Sequence, residues 1–347
     1  MAIPMISKCC FLLFLLCFIF SNAETKPYPL GISFGPTYIT AAYIDSAGEP
    51  VVVASIRGSD EYRDFVADSA INEGVKVQSR GKWYIRDGES LVPILPEPDN
   101  NPEAEGIFTA AIRSIREEIT KSKGQVSSIT SISIPSHFNH TSTTAMINAV
   151  MENEKGIIRP WQVRKQFHVV RLAYGLNSCE GFGLDSDTCD MEDPEHVMFV
   201  DYHNEYLELV LASVGEFSVV ALDSVRLHNL GAKRLDNPKV GNQDSNIYQH
   251  EIQDAIQRFK ESNNIRMEDY PTTIEVIRAI VMSGDAPKPA FASIREAIAA
   301  VLPEHKSKIR DSIDPLSVNA VGAAQWAKLQ VLNSELLHDA SVLHDEL

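Results

Sequence analysis

Gly31-Ile32-Ser33-Phe34-Gly35-Pro36-Thr37-Tyr38 lies in a strand–turn–strand pattern that the chain repeats 168 positions later. Leu30 to Ser33 and Ile39 to Ile44 read as strands, with Gly35-Pro36 as the turn between them. Val51 to Ser55 follows as a third strand after Ala47-Gly48. Slid along itself, the sequence lays Ile32-Ser33-Phe34 on Val200-Asp201-Tyr202, Tyr38-Ile39 on Tyr206-Leu207 and Val51-Val52 on Val219-Val220, without a gap. A duplicated hairpin predicts two halves, each opened by an antiparallel ribbon. Two halves facing each other form a cleft, where ligands are favoured.

Strands and helices alternate outward from these hairpins. Ile107, Ala111, Ile115 and Ile119 recur at helical spacing, with Gly124 as a stop. Ile129 to Ile134 reads as a short strand ended by Pro135, and Ser142 to Glu154 as a helix. Val197 to Val200, Tyr206 to Leu211 and Phe217 to Leu222 form a second strand group. Ile252 to Phe259 marks another helix, Ile277 to Met282 a buried strand, and a further helix starts near Phe291. Hairpins mixed with strand–helix units predict an α/β fold.

The two ends carry address signals. Cys9 to Phe20 is an apolar run of about a dozen residues, short of the roughly 18 needed to span a membrane. Ser21-Asn22-Ala23 has the small residues of a cleavage site, so residues 1–23 are expected to be a signal peptide. His344-Asp345-Glu346-Leu347 is an HDEL signal, which returns a protein to the endoplasmic reticulum. Together they predict a luminal protein that engages the HDEL receptor and is not inserted in the membrane. Formal charge is −16, with no basic run, which argues against nucleic acid as a partner. Cleavage would leave only Cys179 and Cys189. In an oxidising lumen they read as one disulfide; a metal site is the weaker alternative, since no histidine clusters with them, and free thiols are weaker still. Asn139-His140-Thr141 is a glycosylation sequon.

Several segments taken in order resemble the seventy-kilodalton heat-shock chaperones of the actin-like ATPase superfamily. Gly31 to Tyr38 is similar to that family's first phosphate loop, Gly-Ile-Asp-Leu-Gly-Thr-Thr-Tyr. Ser131 to Asn139 resembles its Val-Pro-Ala-Tyr-Phe-Asn segment, and Ala173-Tyr174-Gly175-Leu176 its Ala-Tyr-Gly-Leu. Asn229-Leu230-Gly231-Ala232, followed by Asp236-Asn237, resembles His-Leu-Gly-Gly…Asp-Asn. Val281-Met282-Ser283-Gly284-Asp285 sits where the adenosine loop belongs, and Ile313-Asp314-Pro315 with Ala320 to Ala324 resembles the closing helix. The resemblance implies a two-lobed actin-like fold of duplicated ribonuclease H-like lobes with reduced upper subdomains. Lobe I would span 24–176 together with a closing helix at 315–340, lobe II 177–314, and a tail 341–347. The family's peptide-binding sandwich and lid would be absent.

Departures from the family pattern bear on function. The family's magnesium-organising Asp is Ser33 here, and its next Thr is Pro36, which lacks a hydroxyl and an N–H. The second loop, normally Asp-Leu-Gly-Gly-Gly-Thr, is Asp201-Tyr202-His203-Asn204-Glu205-Tyr206. Lost glycines forbid close backbone approach to phosphate, and Glu205 would face a polyphosphate with like charge. The family Glu aligns with Gln166, and its catalytic Lys has no equivalent. The resemblance leaves Gly35, Thr37, Asp201, Gly231, Gly284 and Asp285 as remnants of a nucleotide site, with no catalytic or metal-binding residue. Asp201 is expected to satisfy backbone donors and His203 to be a solvated loop residue. The expected function is a non-catalytic luminal binding or chaperone-accessory protein, without a required cofactor, whose partner is a chaperone or secretory client. A weak ATPase binding Mg-ATP is the alternative; a sugar-kinase-like activity is a third.

Overall fold

The computed structural model of the chain describes residues 28–72, 84–87, 90–93, 101–123, 128–154, 159–185, 187, 189–235, 242–263, 274 and 276–332. The expected signal peptide, Gly124, Asp236-Asn237 and His344 to Leu347 lie outside them. In chain order the strands are β1 (Leu30–Phe34), β2 (Tyr38–Ile44), β3 (Pro50–Arg57), β4 (Tyr84–Asp87), β5 (Ser90–Pro93), β6 (Ile129–Ile134), β7 (Val163–Lys165), β8 (Glu195–Tyr202), β9 (Leu207–Val214), β10 (Val219–Leu227), β11 (Ala279–Ser283) and β12 (Ile309–Arg310). The α-helices are α1 (Asp60–Asn72), α2 (Pro102–Lys123), α3 (His140–Asn153), α4 (Gln166–Ala173), α5 (Cys179–Phe182), α6 (Asn242–Ser262), α7 (Lys288–Val301) and α8 (Val318–Leu332). Among the described residues no helix is long and apolar enough to cross a membrane.

The α/β class holds, and the two halves share one plan. The first sheet has the order β3-β2-β1-β6-β7 and the second β10-β9-β8-β11-β12. In each, the first three strands pair antiparallel and the rest parallel. The first hairpin of each sheet keeps the 168-residue step, with Ser33 opposite Thr40 and Asp201 opposite Glu208. The third strand breaks it. Tyr43 pairs with Val51, but its counterpart Leu211 pairs with Asp223. β9 runs on to Val214 before turning, so both strands of the second ribbon are longer and Val51 does not correspond to Val219.

Each sheet is covered on both faces. Ile32 and Phe34 point into a core with Phe108, Ile112 and Ile115 of α2 and Met146 of α3. Fully burying such a side chain stabilises by about 1.5–3 kcal/mol. The opposite face of β1 meets α8 so closely that a Cβ on Gly31 would lie 2.1 Å from the Ala324 nitrogen. In the second sheet, Met198, Val200 and Tyr202 pack with Ile252 and Ile256 of α6 and Ile294 of α7, while Val197 and Phe199 face Val170 of α4 and Val318 of α8. α4 and α8 thus lie between the sheets, and a Cβ on Gly322 would come within 2.0 Å of the Val169 carbonyl oxygen. The closing helix starts at Val318 rather than 315, the part of its expected range beyond residue 332 lies outside the described residues, and α6 begins ten residues before Ile252.

Cys179 and Cys189 form the expected disulfide, with S–S 2.09 Å and Cα–Cα 5.9 Å, which excludes the metal-site and free-thiol alternatives. Asn139 is exposed, and its Oδ1 accepts a 2.9 Å bond from the Ser142 amide as the N-cap of α3.

Candidate functional site

The C-terminal ends of β1, β8 and β11 converge, and polar side chains gather there. β11 lies parallel to β8 with Ser283 level with Asp201. The Ser283 hydroxyl donates to Asp201 Oδ1 at 2.6 Å. Beyond Ser283 the chain must turn sharply against the end of β8. Gly284 does this at φ +124°, where a Cβ would sit 2.0 Å from the Tyr202 carbonyl oxygen. Its amide donates to the Pro315 carbonyl at 3.1 Å, and the Ala286 amide to Tyr202 O at 3.1 Å. This turn delivers Asp285 to the tip of the β8–β9 hairpin.

His203 stands at that tip between two acids. Its Nε2 is 2.7 Å from Asp201 Oδ2 and its Nδ1 2.9 Å from Asp285 Oδ1. The ring is 2% exposed, so the expectation of a solvated loop histidine is corrected. Burial alone would lower its pKa, but the two carboxylates, each acting by charge and by hydrogen bond, raise it to about 10. Both ring nitrogens then donate, and His203 is an imidazolium at neutral pH. Asp201 is likewise corrected: its oxygens are taken up by the side chains of His203 and Ser283, not by backbone donors.

Asp285 reaches across to the first half. Its Oδ2 accepts a 2.9 Å bond from the Thr37 amide in the β1–β2 turn, and its Oδ1 lies 3.3 Å from the Asn204 amide. Burial works against its ionisation, but the His203 charge and these donors hold its pKa below the ordinary carboxylate value. The same turn is braced by Tyr62, whose hydroxyl donates to Gly35 O at 2.9 Å. Burial first, and the Asp285 charge second, push that phenol far up.

The remaining candidate residues serve the turns. Gly35 closes its own loop, its amide donating to Tyr38 O at 2.9 Å. Gly231 lets the 231–233 segment touch the β8–β9 tip; a Cβ there would meet Asn204 O at 2.3 Å. The Ala232 and Lys233 amides then donate to His203 O at 2.9 Å and Asn204 O at 3.0 Å. Glu205 does not point inward as expected; its half-exposed carboxylate pairs with Lys233. Ser33 is buried at the end of β1, and Gln166 is buried at the start of α4.

A ring of aromatic and charged groups surrounds the triad. Tyr206 lies 4.7 Å from the His203 ring and 5.8 Å from that of His137, which comes from the loop after β6. Arg226 sits 5.6 Å over Tyr206 and 2.8 Å from Glu208. Burial lowers the His137 pKa well below its usual value, with the Arg226 and His203 charges adding to it. Burial likewise raises that of Glu208, against the pull of Arg226. Among the described residues no cluster of three or more His, Cys, Asp or Glu is arranged to hold a metal ion. The residues brought together are Thr37, Asp201 and Asp285, with His203, which sequence reasoning placed in the same loop but read as solvated. Its signal was two acids, each at the end of a buried strand, with a histidine two positions from one of them. No protein-family model matches the chain, and a comparison with curated proteins finds no match.

Proposed function

We propose that the chain is a protein of the endoplasmic-reticulum lumen, built on the two-lobed actin-like scaffold of the heat-shock chaperone nucleotide-binding domain. On this reading it holds a luminal protein, a chaperone or a secretory client, without hydrolysing nucleotide. The single observation that carries the absence of hydrolysis is the Asp201–His203–Asp285 triad, while the luminal address rests on residues 1–23 and His344 to Leu347. In the resembled family a divalent cation and polyphosphate bridge the two hairpins, and phosphoryl transfer depends on charge neutralised by metal and cation. Here an imidazolium stands between the acids, and a carboxylate occupies the Thr37 amide. Admitting Mg-ATP would require breaking buried charge-assisted bonds, which are roughly twice as strong as neutral ones. With no ligand to distinguish open from closed lobes, partner binding is insensitive to ATP. The acidic surface, formal charge −16, favours partners with basic faces. Affinity purification from lumen extract, with and without nucleotide, tests the proposal. It expects a stable partner retained in ATP. A partner that ATP releases would favour a working chaperone-type ATPase, and recovery of no partner would remove the binding role.

A further inference from the structure

We propose that Asp285 is an internal ligand that latches the two lobes shut, an inference that rests on the reading of the cleft as filled by the chain's own side chains. Asp285 follows β11 in the second half, while the Thr37 amide it accepts from lies 248 positions earlier, on the first hairpin. The other carboxylate oxygen takes His203 Nδ1–H and lies within 3.3 Å of the Asn204 amide, both on the second hairpin. One buried carboxylate therefore ties the tips of both hairpins together, the task that an anionic ligand shared by the lobes would perform. Its charge is balanced by His203, which Asp201 holds from the far side, and Asp201 is fixed in turn by Ser283. A second contact crosses the same gap, the His137 ring meeting Tyr206 edge-on at 5.8 Å. Because the ligand is part of the chain, its effective concentration is high and a free anion competes poorly. The closed arrangement is the resting one and needs no added molecule.

Peptide-resolved hydrogen exchange at the Thr37 amide, together with small-angle scattering, tests the latch on the disulfide-intact full chain. Asp285→Ala should exchange about tenfold to a hundredfold faster at this amide and show a larger radius of gyration. Asp285→Asn keeps the shape and an acceptor oxygen but not the charge, and should fall between Asp285→Ala and wild type. Millimolar inorganic phosphate should leave the wild type unchanged. Wild-type protection and radius in Asp285→Ala, with native circular dichroism, would overturn the latch; should that variant fail to fold, wild-type protection in Asp285→Asn decides the same way. Either result leaves the non-catalytic reading standing, whereas micromolar Mg-ATP binding by the wild type removes that reading itself.

Discussion

Replacing His203 with glutamine removes the charge that Asp201 and Asp285 share. In the wild type those carboxylates lie 2.7 and 2.9 Å from the ring nitrogens and raise the pKa from 6.5 to about 10. A folded-state pKa above the unfolded one gives stability that is fully present below the unfolded value. It is lost as pH rises through the folded value. One proton corresponds to 1.36 kcal/mol per pH unit, so this group costs the wild type about 4 kcal/mol between about pH 6.5 and 9.5. Glutamine does not titrate in that window. At the acid end the variant should be less stable by about 3–5 kcal/mol, because two buried carboxylates lose their shared counter-charge. Urea unfolding followed by circular dichroism across the series measures both effects. The gap between wild type and variant should narrow steadily as pH rises. A gap that stays constant over the window would refute the imidazolium.

Gly284→Ala forces a Cβ to within 2.0 Å of Tyr202 O at φ +124°, and should cost at least about 3 kcal/mol; an unchanged thermal midpoint would contradict the tight turn. Replacing both Cys179 and Cys189 by serine opens a loop with a sequence separation of 10 and should cost about 2–3 kcal/mol in urea unfolding. Thiol labelling of unreduced protein should mark neither cysteine, and labelling of both would contradict the bridge. Deleting His344 to Leu347 should send the protein into the medium, and continued retention would contradict the HDEL address.

Local signals carried most of the fold. Short β-branched and apolar runs with turn residues beyond them place β1, β2 and β6 within a residue or so: β1 stops before Gly35, β6 before Pro135 and β2 before the Asp45-to-Gly48 turn. The duplicated hairpin was legible for the same reason. The slip of the third strand was not, since it depends on how far β9 continues before its turn, which an apolar run leaves undetermined. The triad was less legible still. A histidine in a polar hairpin tip reads as solvated, and the second of the two acids that hold its ring comes from 82 positions away. Only the register of β11 on β8, Ser283 level with Asp201, brings Asp285 to that tip. Glu205 shows the converse: its charge was visible, but the outward turn toward Lys233 depends on Gly231 admitting the 231–233 segment.

Calorimetric titration of the disulfide-intact protein with Mg-ATP and with ADP, paired with a phosphate-release assay, tests most directly whether the cleft is filled by its own side chains. The expected result is binding weaker than about 1 mM, or about −4 kcal/mol, with no turnover above background. A micromolar isotherm, or turnover that Asp201→Ala abolishes, would contradict it.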